Sequence, residues 1–97
     1  MKYKIVFLSE AMEDSEEIRK YLSLYYKNTA KMFFTLLKER INLLRNNPQI
    51  AQRLPERSSY RRLVVDDYLV FNKVNDIKKQ IEIHRILHGS KDIGRYI

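Results

Sequence analysis

The chain contains no cysteine, only two glycines, two prolines and two histidines, and no long apolar run. Without cysteine, disulfide frameworks and thiolate-ligated metals are excluded, and the composition suits a reducing cytosol. With Gly89 and Gly94 as the only glycines, there is no Gly-rich phosphate loop and no nucleophile elbow. No stretch approaches the ~20 apolar residues that a membrane span requires. Met1 to Leu8 puts lysines ahead of an apolar run, as a signal peptide would. That run is too short, has no small-residue cleavage site and leads straight into acidic sequence. The chain is therefore expected to be soluble and cytoplasmic. His84 and His88 do not suggest a metal site. In an extended strand the i, i+4 spacing separates their Cα atoms by about 13 Å, and no further His or Cys ligand is available. No metal or other cofactor is expected.

What is present fits one domain spanning residues 1–97. The apolar fraction is 44%, with seven Tyr and four Phe as bulky packing material. The formal net charge is +7, and it is unevenly spread. Residues 1–30 hold five basic and five acidic side chains, residues 31–60 six and two, and residues 61–97 eight and five. The excess in the last two thirds favours a polyanionic or acidic partner there.

Lys2 to Leu8 reads as a strand, and Ser9 as the N-cap of a following helix. Ala11, Ser15, Ile18, Leu22 and Tyr25 recur at helical spacing. Glu10, Glu13, Asp14, Glu16 and Glu17 crowd the first turns, where carboxylates complement the helix dipole. Lys27-Asn28-Thr29 breaks the pattern and offers a second N-cap. Ala30, Phe33, Phe34, Leu37, Ile41 and Leu44 then form one apolar stripe, which Asn46-Asn47-Pro48 stops. The short break predicts an antiparallel helical hairpin. After a linker from Gln49 to Ser59, Tyr60 to Val65, Tyr68 to Val74 and Gln80 to Leu87 read as strands joined by the turns Asp66-Asp67 and Asn75-Asp76. The expected fold is α+β, in the order β-α-α-β-β-β, an antiparallel sheet with the helical hairpin on one face.

The chemistry on offer lies late in the chain. Arg61 and Arg62 point to opposite faces of their strand. On the last strand, strict alternation puts Glu82, His84 and Ile86 on one side, and Ile81, Ile83, Arg85 and Leu87 on the other. His88, Lys91, Arg95 and Tyr96 follow. A metal-free ribonuclease needs a base for the ribose 2′-OH, a cation for the phosphate and an acid for the leaving oxygen. His88 can serve as base or acid. Arg62, Lys91 and Arg95 can hold phosphate, and Tyr96 can stack on a base or relay a proton. Plainer readings stand beside these. Arg85 suits a semi-buried partner for a helix carboxylate such as Asp14 or Glu17, His84 reads as a surface histidine, and the basic tail suits an acidic protein.

Three stretches carry a resemblance. They are Arg61-Arg62-Leu63-Val64-Val65, Asp67-Tyr68-Leu69-Val70-Phe71, and Ile83-His84-Arg85-Ile86-Leu87-His88-Gly89-Ser90-Lys91-Asp92. With the element order, they resemble the RelE/ParE superfamily of toxins from type II toxin-antitoxin systems. The resemblance implies neutralisation by a cognate antitoxin peptide in a hetero-oligomer. RelE-like members cut mRNA at the ribosome without a metal; ParE-like members bind DNA gyrase. The RelE-like reading puts His88, Lys91, Arg62 and Tyr96 in catalytic roles and Arg61, Arg95 and Arg57 in substrate binding. Glu56 then lies where some members carry a general base. Leu69, where RelE-like toxins usually carry arginine, and Asn72, in place of a frequent tyrosine, depart from the RelE pattern. The function expected is the RelE-like nuclease, which the basic tail and the +7 charge favour; the alternative is the ParE-like gyrase inhibitor, which Leu69 and the closing motif favour.

Overall fold

The computed structural model describes residues 2–57 and 59–97. Strand β1 (Lys4–Phe7) leads into helices α1 (Ser9–Tyr25) and α2 (Lys27–Leu43). A 3₁₀ turn at Pro48–Ile50 precedes a two-residue strand, β2 (Gln52–Arg53). Then come β3 (Arg61–Val65), β4 (Tyr68–Asn75), β5 (Gln80–His88) and a closing 3₁₀ turn at Ile93–Arg95. The expected order holds, with β2 added from within the linker.

The five strands form one sheet in the order β1-β5-β4-β3-β2. The last three strands make the expected antiparallel meander, but β1 pairs with β5 in parallel, so the sheet is mixed rather than wholly antiparallel. The helical hairpin between β1 and the meander makes this possible, since parallel neighbours need a long crossover connection. Asp66 takes the left-handed conformation at the tight β3–β4 turn (φ 53°), which Asp tolerates better than most residues. The Asn75 side chain closes the next turn by accepting the Lys78 N–H at 3.0 Å.

Both helices begin differently from the sequence expectation. Neither Ser9 nor Thr29 caps: α1 already includes Ser9, α2 already includes Thr29, and neither helix has a side-chain cap bond. Only Tyr26 separates them. The buried stripe of α1 is Ala11, Asp14, Ile18 and Leu22, while Tyr25 is 63% exposed. On α2, Ala30, Phe33, Leu37 and Ile41 are buried as expected, and Phe34 partly so. These stripes cover one face of the sheet, packing on Leu63, Val65, Val70, Ile81, Ile83 and Ile86.

Ile86 joins that core because alternation on β5 breaks. The register with β4 shifts between Phe71, opposite Arg85, and Asn72, opposite Ile83. His84 is the extra residue of a β-bulge, which re-aims every side chain beyond it. Ile81 and Ile83 face the helices before the bulge, and Ile86 does so after it. The strict alternation read from the sequence fails at this point.

The bulge coincides with the end of β1. Leu8 N–H donates to the Ile83 carbonyl at 3.0 Å, and there the chain turns into α1. Beyond it, Asp14 takes over the outer edge of β5. Its Oδ2 accepts the Ile86 N–H at 3.0 Å and Arg85 Nε at 2.8 Å, and its Oδ1 accepts Arg85 Nη2 at 2.8 Å. Glu10 adds a longer contact to Arg85 Nη1 at 3.3 Å. The helix carboxylate expected for Arg85 is thus Asp14, not Glu17. Asp14 is 8% exposed, and a bidentate, charge-assisted pair satisfies both groups where water cannot. Removing one partner strands the other. Asp14→Ala is expected to destabilise the fold by about 3 kcal/mol in urea denaturation, as broken buried pairs do. A loss below ~1 kcal/mol, the range of a surface pair, would show the contact to be incidental.

Candidate functional site

The sheet divides the candidate residues between two places. The first is a groove of about 920 Å³ between α1, the end of β5 and the tail. Tyr68 packs against Phe33 of α2 (ring centroids 4.8 Å apart), and His88 meets Tyr68 edge-on at 5.2 Å, so His88 lies on the helix-covered side. Its Nδ1 accepts the Ser90 backbone N–H at 3.1 Å and lies 2.7 Å from the Ser90 hydroxyl. With Nδ1 accepting, Nε2 is the ring nitrogen that faces away from this turn and is free to donate. Tyr96 lies between two cations, with the Arg85 guanidinium 5.2 Å and the Lys91 ammonium 5.4 Å from its ring centroid. Such contacts hold the tail against the sheet end. The opposite wall carries Glu13, Asp14 and Glu17 of α1. Burial, then Tyr21 and Asp67, raise the pKa of the Tyr68 phenol and keep it un-ionised.

The second place is the sheet face that the helices leave open. Arg62 pairs with Phe71 across β3 and β4, and both point away from the helical layer. Lys73 and Glu82 are cross-strand neighbours on this face. The Lys73 ammonium sits 4.4 Å over the Tyr60 ring, and Tyr60 meets His84 edge-on at 5.3 Å. His84 Nε2 lies 3.6 Å from Glu82 Oε1, too far for a full hydrogen bond, and is buried without a partner. Burial first, and Lys73 second, lower the His84 pKa below its ordinary 6.5; Glu82 offsets this only in part. Arg62 Nε is also buried and unpartnered. Beside Arg62, a hollow is lined by Leu54, Glu56, Arg57 and Phe71, with Ile93 and Ile97 of the tail.

The sequence-predicted set is therefore not one constellation. His88, Lys91 and Tyr96 come together in the first groove; Arg62, Arg57 and Glu56 come together on the open face. Arg62 and His88 project to opposite faces of the sheet. Arg61 turns toward the linker, where Nη1 donates to the Ala51 carbonyl at 2.8 Å. Arg95 is exposed in the closing 3₁₀ turn. Tyr60, Lys73, Glu82 and His84 had not been assigned a role, and His84 is not the surface residue expected of it. The signal for that cluster was the pairing of Glu82 and His84 two residues apart on one strand face. Among the described residues, no group of three or more His, Cys, Asp or Glu is placed to hold a metal ion.

An α-helical hairpin over a five-stranded mixed sheet, with a tail folded on its end, is a fold found in toxin–antitoxin complexes. A chain of the chromosomal ParDE system from P. aeruginosa matches with a TM-score of 0.76 at 20% identity, covering 90% of this chain and 96% of that one. A chain of the RelBE2 toxin-antitoxin complex from Mycobacterium tuberculosis matches with a TM-score of 0.67 at 14% identity, covering 91% and 99%. The E. coli DinJ-YafQ complex contains another, with a TM-score of 0.67 at 18% identity, covering 93% and 96%. The fold is thus that of the RelE/ParE toxins. The model of the ParE toxin of the type II toxin-antitoxin system, parDE, matches residues 5–93, and the chain belongs to that family. No curated protein sequence matches it.

The lowered His84 pKa has a consequence for stability. The unfolded chain binds a proton at His84 more readily than the native one, so this group disfavours the fold as pH falls below about 6.5. His84→Gln is expected to flatten the decline in stability between pH 7 and pH 5, read as urea midpoints against pH. An unchanged pH slope would place the histidine in a solvated setting.

Proposed function

We propose that this toxin acts by binding DNA gyrase, as the ParE branch implies, and not by cutting RNA. The observation behind this reading is the separation of Arg62 from His88 and Lys91. A base, a phosphate-neutralising cation and an acid must surround one scissile phosphate. Here the two groups project to opposite sheet faces. His88 and Lys91 also look onto Glu13, Asp14 and Glu17, carboxylates that repel a polyanion. Leu69 and the ParE family match support the same choice. A cognate antitoxin holds the toxin in a hetero-oligomer, a reading supported by the complexes that share its fold.

A second reading has its own observation. On the open face, Tyr60 contacts both Lys73 and His84, Glu82 lies beside His84 and pairs with Lys73, and Arg62 projects from β3 on the same face; burial lowers the His84 pKa and so favours its neutral form. A ribonuclease working from this face would use His84 as base, Arg62 and Lys73 on the phosphate, and Tyr60 as a stacking platform.

Two assays run side by side separate the readings. Purified toxin is expected to inhibit gyrase supercoiling, and mapping RNA 5′ ends after induction is expected to show no new ends in translated messages. Unaffected gyrase at saturating toxin, with new 5′ ends that disappear in Arg62→Ala/His84→Ala, would reverse the assignment.

A further inference from the structure

Lys31, Lys38 and Arg45 recur at seven-residue intervals, two of them on α2 and the third in the turn directly after it. Seven residues of α-helix make nearly two full turns and advance about 10.5 Å, so side chains at this interval form one row with a drift of about 20°. The row flanks the buried stripe of Ala30, Phe33, Leu37 and Ile41, and all three cations are exposed. Arg19 joins it from α1. It shares with Lys31 and Lys38 a shallow groove of about 450 Å³ between the two helices.

Neighbouring carboxylates do not balance this row. Neither the interhelical groove nor the hollow that holds Lys38 and Arg45 has an acidic residue in its lining. Among the described residues, Arg19 alone of the four has an ionic contact, a 3.9 Å approach to Glu16 in which both side chains are exposed. The one acid of α2, Glu39, sits about 100° around the helix from Lys38. A solvated helix face alternates its signs; this one does not. The helix dipole accounts for Arg45, beyond the C-terminal end, where Nε also holds the Tyr3 carbonyl. It gives no reason for Lys31, which lies in the N-terminal half.

The groove offers a protein no apolar anchor. Ala30 is buried, the Phe34 ring lies under the Arg19 guanidinium at 4.4 Å, and the Thr35 hydroxyl is committed to the Lys31 carbonyl at 3.0 Å. Protein interfaces centre on an apolar core, and single-stranded nucleic acid needs open aromatic platforms. A duplex needs only cations set against its phosphates.

We propose that the outer face of the helical hairpin binds the sugar–phosphate backbone of duplex DNA through Lys31, Lys38, Arg45 and Arg19, without reading its sequence. A duplex carries one charge per ~1.7 Å of its axis, so a row about 20 Å long meets several phosphates. Glu13 and Glu17 face the His88 groove from the other flank of α1, and the open sheet face lies beyond the sheet. Both other surfaces therefore stay accessible on a DNA-bound toxin. The proposal does not depend on the choice of target, and its test contains no gyrase.

Fluorescence anisotropy of a labelled duplex of about 20 base pairs, titrated with purified toxin between about 50 and 200 mM salt, tests it. The logarithm of affinity is expected to fall with the logarithm of salt at a slope of about −3 to −4, as four phosphate contacts require. Lys31→Ala/Lys38→Ala, its folding checked by circular dichroism, is expected to lose at least ~tenfold in affinity and to reduce that slope by about two. Lys31→Arg/Lys38→Arg keeps the charge and is expected to bind as the unaltered toxin does. Arg53→Ala/Lys78→Ala removes the same charge from exposed sites off the hairpin. Its affinity is expected to change less than about twofold, because salt screens charges beyond a Debye length. Equal losses from the two alanine pairs would reduce the effect to overall charge and overturn the proposal. Tighter binding to the single strand than to the duplex would overturn it too, as would no binding at the lowest salt.

Discussion

The carboxylate of Asp14 joins the two halves of the molecule. It lies on the buried stripe of α1, where an aliphatic residue would ordinarily pack, and it bonds to β5 through both the Arg85 guanidinium and the Ile86 backbone. A buried ion pair of this kind is weak evidence for stability in itself, because desolvation offsets much of the attraction. Its contribution here is positional. β1 can pair only as far as Ile83, and an edge strand left open beyond that point would carry orphan backbone groups into the helix–sheet interface. Asp14 supplies the missing acceptor, so the helix, rather than a longer β1, completes the sheet.

From that constraint the rest of the site arrangement follows. Arg85 leans to the β5 edge to reach Asp14, and the bulge at His84 brings the strand to that position. The bulge then inverts alternation, which sends Ile86 into the core and leaves His88 on the covered side beside Tyr68. Before the bulge, Glu82 and His84 remain on the open face with Lys73 and Tyr60. A single inserted residue thus sorts the two histidines onto different surfaces. His88 lies across from Glu13 and Glu17, and His84 lies between Glu82 and Lys73 on the other face, so the two are not placed to act on one substrate group.

Much of the fold was legible because its signals are periodic. The stripe on α2 and the closely spaced strands fix a helical hairpin and a meander by burial alone. The resemblance in Ile83 to Asp92 placed the chain in the right superfamily before any geometry was known. Three features were hidden for physical reasons. The parallel pairing of β1 with β5 is a long-range choice that no local window contains. β2 is two residues long and reads as linker. The bulge leaves no mark on the text, because Ile-His-Arg-Ile-Leu is an acceptable alternating strand with or without it. The site was less legible than the fold for that last reason: with the bulge unseen, nothing in the text separated His88 from Arg62, which the nuclease reading had put in one catalytic set.

The charge distribution takes on a different meaning once placed in the fold. Residues 1–30 are neutral as text, with five charges of each sign, yet all five acids lie within Glu10 to Glu17 on one helix. Asp14 and Glu10 are committed to Arg85, while Glu13 and Glu17 face the groove at the β5 end. Arg19, on the same helix, turns instead to the β1 edge. The helix therefore carries negative charge toward one end of the sheet and positive charge toward its edge. The +7 charge is thus gathered in part at the β1 edge, with Arg19, Lys38 and Arg45, and on the open sheet face, with Arg62 and Lys73. The groove holding His88, which the sequence offered as the catalytic centre, is the place a polyanion would least favour.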